Sequence, residues 1–130
     1  MSEIPADLLY SEEHEYLKPA DEEGEYFVGI TDYAQGELGD IVYVELPGVG
    51  DKVRRMEPFG TVEAVKAVSD LFAPVDGEVV AVNDALDGDP SLVNSDPYGE
   101  GWMIRIRISD PSQLDQLLSA AEYASHIGEG

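Results

Sequence analysis

Short runs of β-branched and aromatic residues, each ended by a turn signal, constrain the fold of this chain more than any other feature. Four runs stand out, at residues 25–30 (EYFVGI), 40–46 (DIVYVEL), 77–83 (GEVVAVN) and 102–108 (WMIRIRI). Turn-forming segments bound them, at 22–24 (EEG), 46–51 (LPGVGD), 73–77 (APVDG) and 96–101 (DPYGEG). Branched and aromatic side chains suit a pleated surface, so this pattern is typical of strands. We therefore predict a mainly β fold.

The run at 102–108 alternates in polarity, which is the period of a strand with one buried face. The pattern predicts a buried face that holds Trp102, Ile104, Ile106 and Ile108. It predicts a solvent-exposed face that holds Met103, Arg105 and Arg107. Because the chain has 28 acidic residues, we expect these arginines to pair with carboxylates.

A first helical signal lies at residues 31–38 (TDYAQGEL). Thr31 or Asp32 can cap this short helix, because their side chains accept hydrogen bonds from the free backbone N–H groups of a first turn.

A second helical signal covers residues 110–127 near the C-terminus. Asp110 can cap this helix, Pro111 suits its first turn and Gly128 is a plausible stop. Its apolar stripe consists of Leu114, Leu117, Leu118 and Ala121. No linker separates the strands from this helix, so we predict one domain over residues 1–130.

Two of the strand-like runs resemble each other. Residues 39–45 (GDIVYVE) and 77–83 (GEVVAVN) both read glycine, acid and then a β-branched alternation. The similarity suggests a quasi-symmetric sandwich, although any two strands that follow a glycine turn can look alike.

The net charge of −21 excludes two classes of function. So acidic a surface has no basic patch with which to bind nucleic acid or an anionic membrane. The acids are spread from Glu3 to Glu129, which disfavours a single acidic interaction tail. We interpret the acidity as an adaptation to a salty cytoplasm, because at molar salt charges interact over only about 3 Å.

The chain contains no cysteine, so neither a disulfide nor a cysteine metal site is expected. The N-terminal stretch MSEIPADLLYSEEHEY has no basic region and no long apolar run. We therefore expect no secretory leader and no membrane span, and a cytoplasmic location.

The segment at 62–72 (VEAVKAVSDLF) contains Lys66, one of only three lysines, between Val65 and Ala67. Its Glu, Ala and Lys residues favour a helix, whereas its valines and the glycines and proline around it favour two strands with Lys66 at a hairpin tip. It lacks a glycine-rich turn, so local rules leave both structures open. A surface lysine that forms ion pairs would not need this setting, so Lys66 is a candidate for a chemical role.

Long stretches of the chain resemble the H proteins of the glycine cleavage system, which are lipoylated carriers. The matching stretches are residues 10–17 (YSEEHEYL), 29–50 (GITDYAQGELGDIVYVELPGVG), 62–83 (VEAVKAVSDLFAPVDGEVVAVN) and 92–110 (LVNSDPYGEGWMIRIRISD), in the order that the family has them. The resemblance implies a barrel-sandwich hybrid, a lipoyl-domain-like fold whose exposed hairpin carries the modified lysine. The resemblance favours the hairpin over the helix at 62–72. The quasi-two-fold symmetry of that fold fits the two similar runs at 39–45 and 77–83.

By position, the resemblance makes Lys66 the residue that carries lipoic acid in amide linkage. Glu63, three residues earlier, is then recognised by the lipoylating enzyme, a lipoate ligase or a lipoyl or octanoyl transferase. Glu15, from the HE motif, and Asp70, four residues after Lys66, are candidates for the cleft in which the loaded arm rests. A sheltered carboxylate there would hold the cationic amine of an aminomethyl group. No catalytic residue and no metal ligand is expected.

The resemblance implies a carrier rather than an enzyme. Its lipoyl arm would take the aminomethyl group of glycine from a pyridoxal-phosphate-dependent glycine decarboxylase to a tetrahydrofolate-dependent aminomethyltransferase. A dihydrolipoyl dehydrogenase would then reoxidise the arm. The alternative is a lipoate relay or scaffold that donates lipoyl groups to other enzymes.

Two other families with lysine arms fit less well. Biotin carriers usually place the lysine between methionines, whereas Val65 and Ala67 flank it here. Lipoyl domains of 2-oxoacid dehydrogenases usually have Asp-Lys-Ala and lack the segment at 29–40 (GITDYAQGELGD).

His14 lies between glutamates at positions 13 and 15, a set that suggests a metal or acid–base site. Carboxylates beside a histidine are expected by chance in so acidic a chain, and the resemblance places this motif near the lipoyl cleft. We therefore expect a structural role for His14.

The chain departs from the family at three positions near that cleft. Tyr33 stands where the family commonly has His, Glu13 where it often has Ser, and Tyr16 where it often has Trp. We expect these residues to line or approach the cleft.

Overall fold

The computed structural model describes residues 2–129, most of whose regular structure is β. Strands β1 to β9 are Leu9–Tyr10, Glu15–Pro19, Glu25–Ile30, Ile41–Glu45, Lys52–Val53, Pro58–Ala64, Val68–Phe72, Gly77–Val82 and Ile104–Ile108. Helices α1 to α4 are Asp32–Leu38, Ala85–Gly88, Leu92–Ser95 and Ala120–His126, and a 3-10 helix covers Pro111–Gln116. The prediction of a mainly β fold with short helices and a C-terminal helix is confirmed.

The strands form two sheets that pack around one main core. The larger sheet has the order β1-β2-β3-β9-β8-β5 and the smaller one the order β4-β6-β7, and the neighbouring strands in both are antiparallel. The core between them is apolar, and its buried residues include Leu17, Val28, Val62, Leu71, Val79 and Ile106. A smaller aromatic cluster joins α4 to β1 and β2, and consists of Leu8, Tyr10, Tyr16, Tyr98 and Tyr123.

The two runs that resemble each other lie in different sheets, since β4 belongs to the smaller sheet and β8 to the larger. Each strand contains a register shift at the same step of the shared pattern, between Ile41 and Tyr43 in β4 and between Val79 and Ala81 in β8. The two runs thus share a local irregularity as well as a sequence pattern.

Strand β9 follows the predicted alternation only within its own bounds. Ile104 and Ile106 are buried as expected, but Met103 is also completely buried, so its assignment to the exposed face was wrong. Met103 precedes the strand, where its N–H donates to the carbonyl of Val28 at 2.9 Å. Trp102 is only half-buried and packs against Phe27, with the ring centroids 5.1 Å apart.

The arginines of β9 pair with acids as expected. The Nε atom of Arg105 lies 2.8 Å from Glu25 Oε1, and its terminal nitrogen lies 2.7 Å from Asp21 Oδ1. Arg107 reaches the second oxygen of Glu25 at 3.2 Å.

The predicted terminal helix is wrong as one unit, because the chain breaks it in two. Asp110 caps only the 3-10 helix, and Leu118 then exchanges backbone hydrogen bonds with Tyr10 of β1 at 2.9 and 2.7 Å. Ser119 and Glu122 form a reciprocal capping box that starts α4. This cap and the pairing with β1 together satisfy backbone groups that a continuous helix would have bonded.

The helix at 31–38 forms as predicted, and Thr31 is its cap, since its side chain accepts from the N–H of Ala34 at 3.2 Å. Gly128 follows α4 with a φ of +80°, as a stop residue should. Among residues 2–129, no helix has the length and apolar character needed to cross a bilayer.

Candidate functional site

Lys66 lies at the tip of the hairpin that joins β6 to β7, so the hairpin is confirmed and the helix at 62–72 is excluded. The N–H of Ala64 donates to the carbonyl of Ala67 at 2.7 Å and closes the turn. The N–H of Val65 donates to the carbonyl of Asp40 at 3.0 Å, which fixes the tip to the start of β4. The hairpin therefore presents Lys66 to solvent on an anchored support.

The aliphatic stem of Lys66 rests against Gly39, the residue that ends α1. A Cβ atom built on Gly39 would lie 3.2 Å from Lys66 Cε. Gly39 has φ 84° and ψ −159°, a conformation that is essentially restricted to glycine. Within residues 2–129 the amine of Lys66 forms no ion pair, despite the many acids of the surface. The site thus presents an exposed amine that forms no ion pair with the described residues.

A cleft of about 250 Å³ lies beside the smaller sheet, between α1, strand β7 and the segment that leads into β2. Its apolar lining consists of Ile30, Ala34, Leu38, Val62 and Leu71. Its acidic lining consists of Glu13, Glu15, Glu37 and Asp70. The structure therefore brings Glu15 and Asp70, which are far apart in sequence, to one cleft.

Glu15 is the buried carboxyl group of this cleft, with only 2% of the residue exposed. Its Oε1 accepts from the hydroxyl of Ser11 at 2.8 Å, and its Oε2 accepts from the N–H of Phe72 at 3.2 Å. Burial raises the pKa of Glu15 to about 8, against these two hydrogen bonds, which lower it, and with a smaller contribution from the charge of Glu13. Glu15 is therefore mostly protonated at neutral pH.

Asp70 and Glu63 are placed differently from Glu15. Asp70 lies on β7 opposite Thr61 and is exposed to solvent at the cleft. Glu63 does not line the cleft. It lies in the centre of the smaller sheet, opposite Tyr43 on one side and Val68 on the other, close to the hairpin tip.

His14 also lines the cleft, and the C-terminal helix holds it in place. It has a φ of +77°, unusual for a residue with a side chain. Its Nδ1 lies 2.8 Å from the hydroxyl of Tyr123, which lies 2.7 Å from the hydroxyl of Thr31. Burial, and then the nearby His126, lower the pKa of His14. Residues 2–129 contain no cluster of potential ligands arranged to hold a metal ion.

Sequence reasoning missed Tyr123 and Glu37 as neighbours of the cleft. Tyr123 is completely buried on α4, and a correct start for that helix at the Ser119 capping signal would have indicated its inward face.

Two of the three departures from the family line the cleft, namely Tyr33 and Glu13. The Tyr33 ring lies 5.3 Å from that of His14. The expectation for Tyr16 was wrong, since it is buried outside the cleft and its hydroxyl donates to the carbonyl of Pro97.

Comparison with known proteins gives a consistent result. The family model described as Glycine cleavage H-protein matches residues 8–130. The glycine cleavage system H protein of Prosthecochloris aestuarii is 56% identical over 126 residues, which cover 97% of this chain and 98% of that protein. The H protein of Halalkalibacterium halodurans is 56% identical over 129 residues, 99% of each chain.

A solved structure agrees with the fold. The crystal structure of a glycine cleavage system H protein from Mycobacterium marinum superposes with a TM-score of 0.84 at 41% sequence identity. It covers 96% of this chain and 99% of its own. By sequence over nearly its whole length and by fold, the chain belongs to the glycine cleavage H-protein family.

Proposed function

We propose that the chain, as one carrier domain, bears lipoic acid on Lys66 and carries the aminomethyl group of glycine between the enzymes of the glycine cleavage system. The observation that supports this most strongly is the hairpin itself. It presents one unpaired amine at an anchored and exposed tip, beside a cleft. The chain performs no bond-making of its own in this proposal.

The residues around Lys66 suit a lipoyl group. Gly39 places no side chain against the lysine stem, and the neighbouring cleft has an apolar lining with one buried carboxyl group. When bound, the lipoyl group supplies a disulfide that accepts two electrons together with the aminomethyl group, and it later gives both up. The cleft lining would exclude water from the far end of the arm.

Glu15 would hold a proton in the empty cleft and release it when a cationic group enters. It holds a proton at neutral pH because burial raises its pKa to about 8. A cationic amine beside it favours the ionised carboxylate, so a cationic load would displace this proton and pair with Glu15. Asp70 is exposed at the same cleft, where solvent and salt weaken its attraction for a cation.

The partners follow from this role. They are a pyridoxal-phosphate-dependent glycine decarboxylase, a tetrahydrofolate-dependent aminomethyltransferase and a dihydrolipoyl dehydrogenase. The fourth is a lipoate ligase or a lipoyl or octanoyl transferase, which we propose recognises Glu63 on β6, close to the hairpin tip. We propose that all of these encounters take place in the cytoplasm.

Reconstitution with the decarboxylase tests the proposal. The lipoylated parent protein should support exchange of bicarbonate into the carboxyl group of glycine, and Lys66→Arg should not. Lys52→Arg is the matched control, because Lys52 is an exposed lysine outside the hairpin, with its Nζ 3.8 Å from Glu78 Oε1. Exchange at the parental rate with Lys66→Arg would refute the proposal.

A further inference from the structure

Arg55 differs from the other arginines of the chain, because it is half-buried and its charge has no counterpart. Arg105 and Arg107 pair with acids, and Arg54 is exposed. Within residues 2–129 the side chain of Arg55 forms no ion pair, although the chain has 28 acidic residues. Its Nε is the one buried side-chain nitrogen or oxygen atom of those residues without a hydrogen-bond partner. A buried donor without a partner is costly, so Arg55 suits a polar ligand from outside the chain.

The backbone around Arg55 is fixed by contacts that do not neutralise its charge. The N–H of Arg55 donates to Asp76 Oδ1 at 2.7 Å. The second oxygen, Asp76 Oδ2, accepts from Gln113 Nε2 at 3.1 Å, so both oxygens of this carboxylate have donors other than the guanidinium group. The N–H of Met56 donates to the carbonyl of Ala73 at 2.7 Å. The side chain of Arg55 therefore starts from an anchored backbone.

Arg55 lines a small pocket of about 60 Å³, at which three segments of the chain meet. They are the residues before β2, the turn that leads into β6 and the end of the 3-10 helix. We name this the Arg55 pocket; its lining consists of Ser11, Glu12, Arg55, Met56, Gln116 and Leu117. At about 10–15 Å³ for each water site, it has room for about five waters. A ligand of about three or four heavy atoms fits this space, and a nucleotide does not.

The lining of the Arg55 pocket suits a small carboxylate. A guanidinium group is planar and offers its N–H groups as a fork that matches the two oxygens of a carboxylate. The amide of Gln116 is a further donor, and Met56 and Leu117 offer apolar contact to a short alkyl group. Glu12 lines the same pocket and repels an anion, but it is exposed to solvent, which weakens this repulsion.

The turn at Met56 is also typical of a binding site. Met56 has a φ of +66°, in the left-handed region that residues with a side chain rarely adopt. Strained residues of this kind are concentrated at ligand sites, where the surrounding contacts hold them in place.

We propose that the Arg55 pocket binds a small monocarboxylate anion of the size of formate or acetate; the proposal does not depend on the function given above. The two oxygens of the anion accept hydrogen bonds from the guanidinium group of Arg55, and a small rotation of this side chain brings Nε into the contact. Binding is non-covalent. The pocket adjoins the cleft, because the buried Ser11 lines it and donates to Glu15 Oε1 at 2.8 Å. The bound anion thus lies one side chain behind the carboxyl group of the cleft.

The Nε–H signals of the arginines in a ¹H–¹⁵N NMR spectrum test this proposal on the full chain. Arg55→Gln identifies the Arg55 signal. Arg54→Gln is the matched control, because it removes the same charge from the adjacent, exposed arginine. Potassium acetate replaces potassium chloride at constant molar potassium. A parallel titration uses pivalate, a carboxylate whose tert-butyl group is too large for the pocket. Thermal unfolding of the parent and both variants is followed in each salt.

We expect acetate to shift the Arg55 signal with saturation in the millimolar range, as a ligand this small allows, and pivalate to leave it in place. At about tenfold excess over Kd, acetate should raise the melting temperature of the parent and of Arg54→Gln by about 5 °C. It should not raise that of Arg55→Gln.

Three results would overturn the proposal. An Arg55 signal that does not respond to acetate would leave water as the partner of Nε. A rise in melting temperature that Arg55→Gln retains would show that acetate acts through the solvent. A Glu12→Gln protein that loses as much stability as Arg55→Gln, with no response of the parent to acetate, would make Glu12 the partner of Arg55 in solution.

Discussion

Replacing Glu15 by glutamine should stabilise the protein, and should do so only above mildly acidic pH. The carboxyl group of Glu15 is almost completely buried, and its pKa rises from 4.5 to about 8 in the folded protein. Between these two values the folded state holds a proton that the unfolded state has released. The free energy of unfolding therefore falls as the pH rises through this window. Glutamine has no ionised form, so the variant escapes this loss.

The structure gives the size of the effect. The interval from 4.5 to about 8 is about 3.5 pH units, and at about 1.4 kcal/mol for each it limits the gain to about 5 kcal/mol. Glutamine can keep both contacts, because its oxygen can accept from the N–H of Phe72 and its amide can donate to Ser11 Oγ. We expect a difference close to zero at pH 4.5, and of about 2–5 kcal/mol at pH 8.5.

Urea unfolding of the parent and of Glu15→Gln from pH 4.5 to 9, at constant molar KCl, measures this difference directly. The pH dependence of the other acids is common to both proteins and cancels. Asp70→Asn is the control, since Asp70 is exposed and its replacement should give a small difference. A difference between parent and Glu15→Gln that does not change with pH would refute the assignment of a buried, protonated carboxyl group.

Four further predictions concern other parts of the molecule. If the net charge of −21 is an adaptation to salt, the melting temperature should be lower in dilute buffer than in molar KCl; equal values would remove this explanation. Glu15→Gln should shorten the half-life of the aminomethyl-loaded protein severalfold and Asp70→Asn should change it by less than about twofold, because only Glu15 is shielded from salt. Mass spectrometry over time measures both half-lives, and a larger loss in Asp70→Asn than in Glu15→Gln would contradict this. Gly39→Ala should lower the free energy of unfolding by about 1–3 kcal/mol because of its backbone conformation, whereas Gly36→Ala, inside α1, should raise it by about 0.5–1 kcal/mol; equal effects in urea unfolding would argue against the strained conformation. Tyr123→Phe should cost about 1–2 kcal/mol, since it removes the hydroxyl between His14 and Thr31; an unchanged unfolding midpoint would contradict this.

The mainly β class was predictable because four of the nine strands among residues 2–129, namely β3, β4, β8 and β9, carry a local signal. Residues 25–30 and 77–82 are strands whose composition and flanking turns predict them. The hairpin at Lys66 was not predictable from local rules, because its turn has no glycine and its residues suit a helix equally well. Its stability comes from the partner strand β4 and from the bond between Val65 and Asp40, which are contacts distant in sequence.

The terminal helix and the burial of the cleft carboxylates were not predicted because they also depend on contacts distant in sequence. The apolar stripe at 114–121 suggests one helix, yet Leu118 pairs with Tyr10 of β1, a contact that no local pattern reveals. In the cleft, the motif positions of Glu15 and Asp70 indicated a shared location, but not that one is buried and the other exposed. That distinction depends on which neighbouring strands cover each side chain, so it could only be seen in the folded protein.

The central claim is that Lys66 alone carries the lipoyl group, and intact mass after lipoylation tests it most directly. The parent protein should gain the mass of one lipoyl group with a lipoate ligase, lipoic acid and ATP. Lys66→Arg should gain none, because a guanidinium group stays protonated and is a poor nucleophile. Lys18→Arg and Lys52→Arg should behave like the parent. A Lys66→Arg protein that still gains one lipoyl group would contradict the account and place the arm on another lysine.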